Sequence, residues 1–334
     1  MATTMATPMA APIATTSAGP VLVTGGAGFA GSHLLDLLGA QPPLENLVAW
    51  SRRAPSAGLT STPERGCRWQ PVDLLDRDQV RAAVRDLRPA TVYHLAGVPH
   101  VAQSWDATAP TLAGNVLATH YLLDALRRAQ VRARVLITGS ATVYAPSDTP
   151  IAESGAIAPG SPYGLSKLAQ EMRGLRAIVE DGLEVIVVRA FNHTGPRQTP
   201  SFVAPSLARQ IALIERGALP PTLRAGNLSA RRDLSDVRDV VRAYVALMER
   251  GTSGAVYNVA SGTGRPIYDI LQALIARARV KVEVETDPAL LRPQDTPALV
   301  GDASRLRRET GWSPQIGFEQ MLDDLLEYWR AQAA

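Results

Sequence analysis

The chain of 334 residues holds a single cysteine, Cys67, so neither an internal disulfide framework nor a Cys-rich zinc site can be built from it. It has no apolar stretch approaching the ~18 residues that span a membrane. It also has no basic run. Its 34 Lys+Arg against 31 Asp+Glu leave a net charge of +3, which argues against a nucleic-acid scaffold. Residues 1–19 lack the basic n-region of a secretory signal. Uncharged and without period, they read as a disordered extension or a misplaced start, and are set apart from the fold. The remaining composition, 46% hydrophobic and 19% charged, is that of a packed globular protein. Its length suits one large α/β domain or two ordinary ones. The expectation is a soluble, cytoplasmic protein whose partners are neither nucleic acid nor membrane.

From Pro20 onward, strand-like and helix-like segments alternate. Apolar runs at 21–23, 46–50, 68–72, 91–95, 135–138, 184–189 and 256–259 read as strands, and 33–38, 76–87 and 111–129 as helices. Continuous apolar strands separated by helices predict a parallel sheet covered on both faces, hence a doubly wound α/β fold. After Asn192 the pattern loosens under Pro196, Pro200, Pro205, Pro220 and Pro221, and 287–297 is expected to be irregular. The final helix is plain: Phe318, Met321, Leu322, Leu325, Leu326 and Trp329 recur at the 3.6-residue period, a stripe read as core packing.

Residues 24–31 read TGGAGFAG, after a strand and before a helix. Glycines at 26, 28 and 31 fit G-x-G-x-x-G, and those at 25, 28 and 31 fit a wider spacing. Either way a turn without side chains lets backbone approach a pyrophosphate at a helix N-terminus. A plain tight turn would use the same residues. An NAD-binding fold usually places an acid about 20 residues later, against the ribose hydroxyls. Here Trp50-Ser51-Arg52-Arg53 has none, and Ser51, Arg52 and Arg53 suit a 2′-phosphate. This favours NADP(H) over NAD(H), although two exposed arginines in a solvated loop would look the same.

Tyr163 and Lys167 stand at i and i+4, on one face of a helix. Ser140 lies just past the run 135–138, at the C-terminal edge of the expected sheet, where such sheets place ligands. A tyrosine titrating near ~10 needs a neighbouring cation to act as acid or base at neutral pH. Lys167 is the candidate cation, and Ser140 a candidate hydrogen-bond donor to the reacting oxygen.

With HLAG at 94–97, GSATVY at 139–144, YGLSK at 163–167, RAFN at 189–192 and ARRDLSDVRD at 230–239, the chain resembles the extended short-chain dehydrogenase/reductase family over residues 20–331. The resemblance implies Ser140, Tyr163 and Lys167 as catalytic residues. It implies a dinucleotide held by Gly25, Gly28, Phe29, Ala30 and Gly31, by Asp73 and Leu74 on the adenine side, and by Leu95, Ala96, Gly97 and Asn115. A helix-supporting role is the alternative for Asn115. It further implies a nucleotide-sugar substrate contacted by Asn192 and by Arg232 and Arg292, whose forks suit a pyrophosphate. Arg231 reads equally as a surface neighbour, and His193 as structural. The expected nucleotide-binding domain comprises 20–190 with about 234–260, and the smaller substrate domain 191–233 with 261–331. A homodimer through the helices holding Asn115 and Tyr163 is also implied.

Within the family, FNHTGP at 191–196, SFVAPSLARQIALIERG at 201–217 and GNLSARRDLSDVRDVVRAY at 226–244 most resemble GDP-4-keto-6-deoxy-D-mannose reductases. Members that dehydrate sugars carry an acid two positions after the triad Ser/Thr. Here Ala141 and Thr142 follow Ser140, so no carboxylate is present to remove water. The expectation is NADPH-dependent reduction of a 4-keto-6-deoxy sugar nucleotide. SATVY also occurs in sugar 4-epimerases, so a 4-epimerase with bound NAD is the alternative. A silent binding relative is a third reading, opposed by the complete set of Ser140, Tyr163 and Lys167.

Overall fold

In the computed structural model, which describes residues 19–40, 46–52, 67–290 and 298–333, the first apolar run forms β1 (Val21–Thr24). All four of its residues are buried, so on a pleated strand both faces of the sheet are covered. The chain continues through α1 (Phe29–Gly39), β2 (Leu47–Ser51), β3 (Arg68–Pro71), α2 (Arg77–Leu87) and β4 (Thr91–His94). Short helices α3 (Gln103–Asp106) and α4 (Thr108–Leu112) lead through a π turn at Ala113–Leu117 into α5 (Ala118–Arg128). Next come β5 (Arg134–Thr138), α6 (Pro162–Asp181) and β6 (Glu184–Ala190). The second half runs β7 (Asn192–Thr194), α7 (Val203–Glu215), β8 (Thr222–Ala225), β9 (Arg231–Asp236), α8 (Val237–Arg250) and β10 (Val256–Val259). It closes with β11 (Gly264–Pro266), α9 (Ile267–Ile275), β12 (Glu283–Thr286), β13 (Ala298–Leu299), α10 (Ser304–Thr310) and α11 (Phe318–Ala333).

Seven strands form one sheet in the order β3-β2-β1-β4-β5-β6-β10, every neighbouring pair parallel. This is the expected doubly wound α/β sheet. The chain steps outward from β1 to β3, then returns to β4 on the other side of β1. That reversal opens a crevice at the C-terminal ends of β1 and β4, the place where such sheets receive ligands. Val23, Leu34, Leu136 and Val241 pack in the core on one face, and Leu22, Val48, Leu122 and Val135 on the other. A third cluster joins Leu207, Ile211, Leu271 and Leu325 beneath α7, α9 and α11. Met321, Leu322, Leu325 and Leu326 of the last-helix stripe are buried there, with Phe318 and Trp329 against them. Among the described residues no helix is long and apolar enough to cross a membrane.

The differences from the sequence expectation are local. The segment 111–129 is not one uninterrupted helix, because the π turn carrying Asn115 lies inside it. The strands β7, β9, β11 and β13 form a second, smaller sheet, and β8 pairs with β12. Three-residue NHT and charged RRDLSD carry no apolar run, so pattern alone does not reveal them. Residues 261–331 are expected in the smaller domain, but Ala303, Leu306 and Trp312 pack in the core of the large sheet, where α10 lies on α8 and β10. Residues 1–18 of the expected tail, Arg53, Arg292 and most of the segment 287–297 lie outside the described residues. Its described part includes one 3-10 turn at Pro288–Leu290.

Candidate functional site

The glycine turn occupies the crevice between β1 and β4. Gly25 has φ +72°, and a Cβ there would lie 2.7 Å from the Ala96 nitrogen. A Cβ at Gly31 would collide with the Gly25 carbonyl, so only glycine lets α1 start directly on the turn. Gly28 is the N-cap of α1, with no side-chain cap and no acid in the first turn. The N–H groups at the start of α1, which begins with Phe29 and Ala30, therefore form an anion site. These features fit a dinucleotide pyrophosphate. The Trp50 carbonyl accepts from Gly25 N at 3.0 Å and Gly26 N at 3.3 Å, tying the turn to the end of β2. Ser51 and exposed Arg52 follow at once. Asp73 and buried Leu74 follow β3, where the Asp73 carboxylate accepts from Leu75 N at 3.0 Å. Leu95, Ala96 and Gly97 extend β4 along the turn, with Leu95 N donating to Thr24 O at 3.2 Å.

Across the crevice, Ser161 caps α6 by accepting from Gly164 N at 3.0 Å, with Pro162 in the first turn. Ser104 of α3, which sequence reasoning missed, accepts the Tyr163 N–H at 3.1 Å. This start sets Tyr163 and Lys167 one turn apart, with Lys167 Nζ 5.9 Å from the Tyr163 ring centroid. Ser140 caps the 3-10 turn Ala141–Val143, and its Oγ accepts from Thr142 N at 3.2 Å and Thr142 Oγ1 at 2.9 Å. The Ser140 side chain also lies near the Tyr163 phenol, where it favours the phenolate. Ser140, Tyr163 and Lys167 thus meet at the C-terminal end of β5, and the neighbour in the acid's position is the Thr142 hydroxyl.

The electrostatics differ from the sequence expectation. Desolvation pushes the Tyr163 phenol above its ordinary value, and the neighbouring Ser140 side chain only partly opposes this. The Lys167 Nζ sends its donors to Thr138 O at 2.9 Å and Gln170 Oε1 at 2.9 Å and makes no direct hydrogen bond to the phenol among the described residues. Desolvation lowers Lys167 itself to about 8. Near neutral pH the pair is therefore a protonated phenol beside a buried ammonium, the state of a proton donor.

Asn115 is fully buried. Its Oδ1 accepts from Val98 N at 2.7 Å, and its Nδ2 donates to Ser166 Oγ at 2.8 Å and Val98 O at 3.3 Å. All of its side-chain polarity is spent on the Gly97–Val98 turn and α6. Asn115 is expected as a cofactor contact with helix support as the alternative, and the contacts present are those of support for that turn and α6.

On the smaller sheet, Asn192 of β7 pairs with Leu234 of β9, and Arg232 lies two residues earlier on that strand, on the same face. Asn192 is exposed, and Arg232 Nη1 donates to the Arg231 carbonyl at 2.9 Å. Arg231 Nη2 donates to Gly264 O at 2.9 Å, which ties β9 to β11. His193 stacks on Phe29 at 5.8 Å between centroids, and burial lowers its pKa. It is a packing group between the glycine turn and β7. A second stack, His100 on Phe202 at 5.1 Å, joins the loop after β4 to the start of α7, and no sequence pattern announces it.

A family model described as GDP-mannose 4,6 dehydratase matches residues 22–325. Over 315 residues the chain is 36% identical to a GDP-6-deoxy-D-mannose reductase of Pseudomonas aeruginosa, covering 93% of this chain and 97% of that protein. The solved structure of RMD from Pseudomonas aeruginosa complexed with NADPH matches with TM-score 0.80 at 34% identity, over 94% of this chain and 99% of that one. A Thermus thermophilus UDP-glucose 4-epimerase in complex with NAD matches with TM-score 0.81 at 28% identity, over 93% and 99% of the two chains.

Proposed function

This chain belongs to the GDP-mannose 4,6-dehydratase family of NAD(P)-dependent extended short-chain dehydrogenases/reductases, and from that premise we propose that it reduces the C4 keto group of a nucleotide-linked 4-keto-6-deoxy sugar. The substrate we assign is GDP-4-keto-6-deoxy-D-mannose, giving GDP-D-rhamnose, with NADPH as reductant. The observation that carries this reading is a Tyr163 phenol held protonated by desolvation beside Ser140, with Thr142 in place of a carboxylate. Such a site can protonate an oxygen but has no side chain placed to remove water.

The bound nicotinamide would supply the hydride. Ser140 holds the C4 oxygen, and Tyr163 gives it a proton as negative charge develops there. The Lys167 ammonium stabilises the phenolate that remains. Asn192, Arg232 and Arg292 are assigned to the sugar nucleotide, Arg232 and Arg292 as guanidinium partners of its phosphates. We further assign a cytoplasmic homodimer. Leu117, Leu165 and Met172, on the elements carrying Asn115 and Tyr163, are 39%, 51% and 58% exposed, an apolar surface suited to a second copy.

Incubation with GDP-4-keto-6-deoxymannose is expected to consume NADPH stoichiometrically and to give the 6-deoxy sugar by NMR, with no turnover of GDP-mannose to the keto sugar. A 4-epimerase, the second reading favoured by the Thermus thermophilus likeness, would interconvert UDP-glucose and UDP-galactose, or a related pair, without net cofactor use. That interconversion, with no NADPH oxidation on the keto sugar, would replace the reductase assignment.

Cofactor choice is tested separately. Converting Arg52 and Arg53 to Asp should lower kcat/KM for NADPH at least about tenfold more than for NADH, the scale of one charge-assisted hydrogen bond. Wild-type protein as active with NADH as with NADPH would remove the basis for assigning a 2′-phosphate site.

A further inference from the structure

We propose that Gln170 is a positioning residue for Lys167: its carbonyl end holds the ammonium, while its amide end is locked through Thr119 and His94 to the start of the glycine turn. The inference rests on the assignment of Lys167 to the reaction, and its test is independent of turnover.

Lys167 is 5% exposed, and among the described residues no ion pair reaches its Nζ. The neighbouring carboxylate on the same helix, Glu171, is engaged by Arg189 of β6 through bonds of 2.6 and 2.9 Å. The ammonium is held instead by two neutral oxygens, Thr138 O and Gln170 Oε1, each at 2.9 Å. Since an ammonium has three N–H donors, fixing two of them aims the third.

The rest of the network follows from counting donors and acceptors. The Thr119 hydroxyl gives its one proton to Asn115 O at 2.7 Å, so it can only accept from its two other partners. Those are Gln170 Nε2 and His94 Nε2, both at 2.8 Å. His94 must therefore carry its proton on Nε2, and its Nδ1 accepts from Thr24 Oγ1 at 2.8 Å. Thr24 Oγ1 in turn accepts from Ala96 N at 3.3 Å. Gln170 is oriented from both ends: a flipped amide would set N–H groups against the ammonium and turn a carbonyl oxygen onto Thr119 Oγ1, whose one proton already goes to Asn115 O. Burial, reinforced by the Lys167 charge, lowers His94 to about 3, so it stays neutral and acts as a fixed donor.

Thr24, His94, Thr119 and Gln170 are all fully buried, and they connect β1, β4, α5 and α6. Thr24 immediately precedes Gly25, so the ammonium and the turn that receives the nucleotide form one rigid unit. The titratable groups facing the ammonium are Tyr163 of α6 and His94 of β4. β5 and α5 contribute Thr138 and Thr119, the π turn Asn115, and β6 the paired Arg189.

The chain contains two lysines, Lys167 and Lys281, so lysine-selective 13C labelling yields two side-chain signals, and a Lys281→Arg variant assigns them. The full-length chain without nucleotide or substrate is titrated by NMR. Wild-type Lys167 is expected to titrate near 8. Gln170→Leu removes an acceptor from a charged group and should lower that midpoint by about one pH unit. Gln170→Glu puts a carboxylate in the same place and should raise it by about as much or more. Because no substrate is present, failure of the reductase reading leaves this result standing. If Gln170→Leu titrates as wild type and only its melting temperature falls, Gln170 is a packing group and the proposal is wrong. If Gln170→Leu does not fold, Gln170→Glu decides, and an unchanged or lowered midpoint there overturns the proposal.

Discussion

Tyr163→Phe is expected to lower kcat by about 10²–10⁴-fold, the usual worth of a positioned general acid. The substitution removes one hydroxyl and leaves the ring, and the Tyr163 backbone N–H keeps its bond to Ser104 at 3.1 Å, so the start of α6 is preserved. Desolvation holds the phenol protonated, and the side chain nearest to it, Ser140, is an alcohol too weakly acidic to take its place. The measurement is single-turnover reduction of the keto sugar beside a thermal melt. A variant retaining more than about a tenth of wild-type kcat would show that the proton comes from elsewhere.

The second large effect is on stability. Glu171 and Arg189 form a bidentate pair whose side chains are 5% and 7% exposed. Arg189 also donates to Tyr144 Oη at 2.9 Å and Glu153 O at 3.0 Å, and its guanidinium lies 4.8 Å from the Tyr144 ring centroid. Glu171→Ala strands that guanidinium without its counter-charge and should destabilise the chain by about 3–5 kcal/mol. Glu171→Gln, which keeps one acceptor, should lose less. Urea unfolding at constant m reads the difference as a shift of midpoint. A loss below about 1 kcal/mol would mean the pair is worth no more than an exposed one. Because Glu171 lies one turn beyond Lys167 and Arg189 lies on β6, this pair also fixes the depth at which α6 presents Tyr163 and Lys167.

What the sequence determined by itself was whatever depends on short spacing. A glycine cluster between a strand and a helix, Tyr163 and Lys167 at i and i+4, Ser140 just past an apolar run, and the missing acids after Trp50 and after Ser140 are all local facts. Local geometry converts such spacings directly into shared faces and turns. Gln170, at i+3 from Lys167, lies within reach of the same spacing argument. The tertiary structure decided the rest. Thr24 meets His94 across 70 residues, and Gln170 meets Thr119 across 51. These pairings choose the tautomer of His94 and the direction of Gln170. They also send the Lys167 protons to Thr138 and Gln170 instead of the phenol, and burial raises the Tyr163 pKa. Asn115 was legible as a motif residue, but only the approach of Val98 and Ser166 decided that its amide supports a turn. Charge state and hydrogen-bond direction follow from desolvation and from which donors converge on one acceptor, and both arise only when distant segments pack together.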